Sequence, residues 1–173
     1  MTKADKAIPV NAPGVTSPFG LLRFAEEYRT AAIVVRQAKA GEIPPSPAYT
    51  LIGQSIELSL KAFLLARGVP LEKLAAKPFG HDLEALLREA RRRRIDRLVP
   101  LHQFHDQAIQ LVSPVYKRHE FRYIVTGVRT LPKWEFLAHT AAELTRCQHD
   151  WLLRRRVGKA AAKKRIAAKG QFG

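Results

Sequence analysis

Glu57 and Lys61 stand four residues apart in the stretch SIELSLKAFLLARGV, Ser55 to Val69, and they are the only charges between Tyr49 and Ala66. At that spacing a helix puts both on one face, with the glutamate N-terminal, the better order for an ion pair. Gln54 falls on the same strip. Ile52, Ile56, Leu60 and Phe63 make one apolar face beside it, and Leu51, Leu58 and Leu65 make another. A helix apolar on nearly all sides is a central helix. Its charges must be paired or reach the surface, because an unpaired buried charge is strongly unfavourable. Two roles are open to the couple. It either fixes packing against a neighbouring helix or forms the polar wall of a groove lining a site.

Other constellations imply different chemistry. His102, His105 and Asp106 have the i, i+3, i+4 spacing of helical metal ligands, but no cysteine cluster or further His–Glu pair supports them, so no metal is expected. The chain has no Gly-x-Gly-x-x-Gly, no Walker loop and no Gly-x-Ser-x-Gly, so no cofactor is expected. Arg91, Arg92, Arg93 and Arg94, flanked by Arg88 and Arg97, form a basic run. It is either a solvated helix end that complements the C-terminal dipole or a phosphate-binding patch. A second basic block includes Arg154, Arg155, Arg156, Lys163, Lys164 and Arg165. From Arg154 to Gly173 there are eight Lys or Arg and no acid. Few aromatics interleave with these charges, so binding through them is expected to be mostly electrostatic contact with a polyanion's backbone.

The composition agrees. The 173 residues carry 30 Lys or Arg against 15 Asp or Glu, a formal net charge of +15. That excess favours an anionic partner such as nucleic acid. A hydrophobic share of 46% is enough for a real core. The one cysteine, Cys147, excludes an internal disulfide and fits a reducing compartment. The N-terminus is too polar and too Pro-broken for a signal peptide. Glu57 and Lys61 interrupt the one long apolar run, so no membrane span is expected and the location is read as cytoplasmic.

The pattern that positions these residues is helical throughout. Residues 1–16 hold Pro9, Pro13 and Gly14 without a period and read as a flexible arm. Ser17-Pro18 opens a first helix that Gly41 closes, and Ser46-Pro47 opens a second that runs to Gly68. These two are expected to pair antiparallel. A connector with one helical turn leads to a third helix at HDLEALLREARRRR. A fourth is read from Leu98 to Val112, stopped by Pro114. A fifth starts with Pro132 at its first position. The expectation is an all-α, up-and-down bundle of about five helices over 17–153, followed by a basic tail over 154–173.

Two segments together carry a family likeness. AYTLIGQSIELSLKAFLLARGV followed by GHDLEALLREA resembles the HEPN superfamily of small helical domains, and HEFRYIVTG at 119–127 is similar to the aromatic segment ahead of the final helix in such proteins. The likeness covers about residues 18–152. It implies that His81 and Asp82 are helix-entry residues, with Asp82 at the positive helix end and His81 bonding the Glu57 strip. It also implies a homodimer, and in many relatives a metal-independent ribonuclease. There an Arg and a His a few residues apart meet at the subunit interface. The Arg stabilises phosphate charge and the His moves the proton of a ribose hydroxyl or leaving oxygen. Arg97 and His102, in RLVPLH, have this spacing. Leu98 replaces the usual polar residue and Pro100 lies inside the motif. The expected function is therefore a non-catalytic RNA- or polyanion-binding or adaptor module. The alternative is a toxin-like or defence ribonuclease, with a neighbouring protein as its regulator.

Overall fold

A computed structural model describes residues 16–38, 46–122 and 130–157. The expected arm lies outside these residues, apart from residue 16. So does the tail from residue 158 onward, with the side chain of Arg156. Every regular element among the described residues is helical. The helices are α1 (Pro18–Ala38), α2 (Ser46–Ala66), α3 (Leu71–Ala75), α4 (Leu83–Arg92), α5 (Gln103–Lys117) and α6 (Trp134–Val157), with 3-10 turns at Ile95–Arg97 and Glu120–Arg122.

The chain is an up-and-down helical bundle with α2 at its centre. Ile52, Ile56, Leu60, Phe63 and Leu64 are wholly buried, and α2 packs against all five other helices. The α1–α2 pair is antiparallel. Leu22 clusters with Ala62 near one end, and in mid-helix the Ser55 hydroxyl donates to the Ala25 carbonyl at 2.8 Å. Gly68 ends α2. At φ +84° it lets the Val69 N–H reach back to the Leu64 carbonyl and the Gly68 N–H to Leu65, each at 3.0 Å. Only glycine takes that conformation cheaply. Asp82 starts α4, its carboxylate accepting from the Ala85 N–H at 3.0 Å.

Three boundaries differ from the sequence reading. The helix read from Leu98 begins at Gln103, so Pro100 precedes the helix instead of sitting in its first turn. A tight 3-10 turn occupies Ile95–Arg97, and Ile95 on it and Val99 just after it are buried. Pro114 also does not stop α5, which runs on to Lys117. Pro114 and Gln110 are both exposed, so the carbonyl that loses its N–H partner faces water. On the inner face Val112, Ser113, Val115 and Tyr116 are buried and carry the helix through. The last helix starts two residues later than expected, at Trp134. The Pro132 carbonyl accepts from the Tyr49 hydroxyl at 3.0 Å.

Candidate functional site

α2 presents Glu57 inward at 2% exposure, and donors from three elements converge on it. Lys61 Nζ donates to Oε1 at 2.6 Å. His81 Nδ1, from the entry of α4, meets Oε2 at 2.9 Å, and the Tyr116 hydroxyl, from α5, donates to Oε2 at 2.8 Å. The same hydroxyl is 2.7 Å from Oε1 of Gln54. A carboxylate accepts only, so His81 carries its proton on Nδ1 and turns Nε2 outward. Burial first, and the Glu57 charge second, push the Tyr116 phenol far above its ordinary range, so it stays a donor.

The cluster depends on one missing side chain. A Cβ at Gly53 would lie 2.5 Å from Cδ2 of Tyr116. The Cδ2–Cε2 side of the phenol ring lies against Gly53 of α2, and this close approach goes with the hydroxyl reaching Glu57 and Gln54.

His81 is the cluster's window to solvent, its side chain 42% exposed. Its ring sits 4.7 Å from that of His119 in an edge-on arrangement. Burial, then Arg122 and His81, lower the His119 pKa. Next to this pair, Lys117 Nζ meets Asp82 Oδ2 at 2.6 Å. Burial alone would raise the Asp82 pKa, but the Lys117 and Ala85 bonds outweigh it and bring the pKa below the usual value. The Glu84 N–H donates to the Ser113 hydroxyl at 3.2 Å, which ties α4 to α5. The geometry can hold an imidazole in one tautomer and present Nε2 beside a second imidazole.

Glu57, Lys61 and His81 are thus in direct contact, and Asp82 lies beside them in a second polar pair. Arg97 and His102 are both exposed, Arg97 closing a 3-10 turn and His102 preceding α5. The arginine run is divided. Arg91 clamps Asp106 with bonds of 2.7 and 2.8 Å and also pairs with Asp96. Arg93 bonds Glu89 at 2.7 Å and the Arg67 carbonyl at 3.0 Å. Arg92 and Arg94 stay exposed. Arg154 and Arg155 are exposed, with Arg155 over the Trp151 ring. Lys163, Lys164 and Arg165 lie outside the described residues. Among the described residues no group of three or more His, Cys, Asp or Glu is placed to hold a metal ion. No described helix is long and apolar enough to cross a membrane.

The sequence reading ends the helix at Pro114 and so misses Tyr116 and Lys117 on it and His119 just beyond it. The periodicity itself was readable, since Ile109, Val112 and Tyr116 keep helical spacing across the proline. No family model, curated protein or solved structure matches the chain.

Proposed function

We propose that the chain is a HEPN-like domain that binds RNA or another polyanion as a homodimer, with the Glu57 cluster as its internal anchor. The supporting observation is an unbalanced surface. The acids around the arginine run, Glu89, Asp96 and Asp106, are engaged by Arg91, Arg92 and Arg93. Arg92, Arg94, Arg97, Arg154 and Arg155 nevertheless remain exposed in a chain of net charge +15. Glu57, the most buried acid of the polar strip, is turned inward to three donors, which suits a packing role. In this reading affinity for RNA falls steeply with salt. Deleting 154–173, which removes eight cations, flattens the log–log slope by several units, at about 0.7 per phosphate contact on a single strand. Affinity indifferent to salt would refute it.

A second reading is a metal-independent ribonuclease using Arg97 and His102, held in check by a neighbouring protein. The exposure of both side chains, Arg97 on a 3-10 turn and His102 at the start of α5, favours it, because a dimer could bring them into one cleft. Labelled RNA incubated in EDTA with the parent and with His102→Ala decides. Cleavage lost in the variant supports the enzyme, and equal cleavage removes the assignment.

A further inference from the structure

The start of α5 carries a second polar device that the reading above does not use. His105 is wholly buried, and both its ring nitrogens are occupied. The His102 backbone N–H donates to Nδ1 at 2.8 Å, and Nε2 lies 3.1 Å from Nδ1 of His139 on α6. Because Nδ1 accepts, the neutral ring keeps its proton on Nε2 and donates it to His139. His139 must then hold its own proton on Nε2, the nitrogen on the far side of its ring. His139 is exposed. A buried imidazole therefore sets the tautomer of a surface one and holds one of its nitrogens, leaving the other as a donor toward solvent.

That donor lies among aromatic rings. The Phe104 ring is 5.6 Å from His139 and 5.7 Å from Phe136, and His102 stacks near it at 6.0 Å with an interplanar angle of 23°. Phe136 is 43% exposed and Phe104 half-buried. Exposed cations flank the cluster along the chain. Lys133 is one turn ahead of Phe136, whose N–H donates to the Lys133 carbonyl at 3.2 Å, and Arg97 precedes His102. Of the acids on the same elements, Asp96 and Asp106 are engaged by Arg91 and Glu143 by Arg146, while Glu135 and, far along α6, Asp150 are exposed.

We propose that this cluster is a platform for an unpaired base of a single-stranded nucleic acid. The base stacks on Phe136 and Phe104, the His139 Nε2–H donates to a carbonyl or ring nitrogen on its edge, and Lys133 and Arg97 take the flanking phosphates. A planar aromatic face bordered by an oriented N–H and by cations matches a nucleotide better than an apolar helix. A duplex keeps its base faces stacked and offers only its backbone. This inference rests on the polyanion reading and specifies the form of strand it takes.

The test uses the full chain and three probes, a labelled single-stranded RNA, its duplex, and polyphosphate as a base-free anion. Phe136 is a surface residue, so Phe136→Ala folds, and Phe136→Trp restores the ring. The expected result is a loss of about tenfold for the single strand in the alanine variant, recovered by tryptophan, with duplex and polyphosphate unchanged. Single-strand affinity equal to the parent's overturns the site, as does an equal loss for all three probes. A switch from dimer to monomer in light scattering without loss of single-strand affinity also overturns it and gives the face to a second copy of the chain. Failure of the parent to bind any probe overturns the polyanion reading and this site with it. Polyphosphate binding with no dependence on Phe136 for the single strand overturns this site alone.

Discussion

The two ends of α5 bury polar groups in opposite ways. Near its C-terminus Tyr116 helps to enclose Glu57, a carboxylate that takes bonds from Lys61, His81 and Tyr116. Near its N-terminus, about 16 Å away at 1.5 Å per residue, His105 is buried with a backbone N–H and a second imidazole as hydrogen-bond partners. The first end is held by charge and joins α2, the entry of α4 and α5. The second is held by neutral hydrogen bonds and joins α5 to α6. A charge-held site fails when a counter-charge is removed. A neutral one fails when a proton is added.

The largest effect is expected at the charged end. Lys61→Met leaves Glu57 buried without its cation. It should cost about 3 kcal/mol in urea unfolding, because the uncompensated carboxylate then bears its desolvation penalty. Adding Glu57→Gln to that variant should recover part of the loss. A Lys61→Met protein as stable as the parent would mean that the Glu57 charge needs no internal partner, and the contrast between the two ends would collapse.

A smaller effect follows from Gly53. Gly53→Ala places a methyl where the Tyr116 ring lies, with 2.5 Å between them. Overpacking of this kind costs about 1–3 kcal/mol, against which alanine's better helix propensity returns about 1 kcal/mol. The expected sign is destabilising, with the Tyr116 hydroxyl displaced from Glu57. A rise in melting temperature would show that the ring slides aside freely and that the hydroxyl is not held by this packing.

These two residues also mark where the sequence was readable. The α2 axis, with Glu57 and Lys61 on one strip and a glycine at its end, follows from 3.6-residue periodicity and local cap chemistry. The start of α4 at Asp82 follows from the same local rules. Tyr116 needed a judgement about Pro114 that local rules answer wrongly. A proline is tolerated inside a helix where the carbonyl it strands is exposed, and exposure is a tertiary property. The His105–His139 bond joins residues 34 positions apart through packing of α5 on α6. Nothing in either segment alone announces it, and His102, His105 and Asp106 share only a metal-ligand spacing that the sequence reading set aside. The structure gives Asp106 to Arg91 and both His105 nitrogens to other groups.

The smallest effect sharpens the neutral end. Burial first, then His139, lowers the His105 pKa below its ordinary value of 6.5, while Glu143 on α6 opposes this only in part. An unfolded chain takes up this proton near 6.5, and the folded chain resists it to lower pH. Above that range the two states bind equally and the full stability is present. As pH falls through 6.5 toward the folded value, the unfolded state gains protons first, so stability declines, by at most ~1.4 kcal/mol per pH unit for one group. His119, whose pKa is also lowered, adds a slope of the same sign, so the parent curve alone does not isolate His105. The informative quantity is the difference between parent and His105→Gln, which keeps an amide in place but cannot titrate. The variant should be less stable at pH 8 yet lose less between pH 7 and 5.5. Parallel curves would mean that the buried ring takes up its proton as readily as a free one, and that the bond to His139 does not depend on a neutral imidazole.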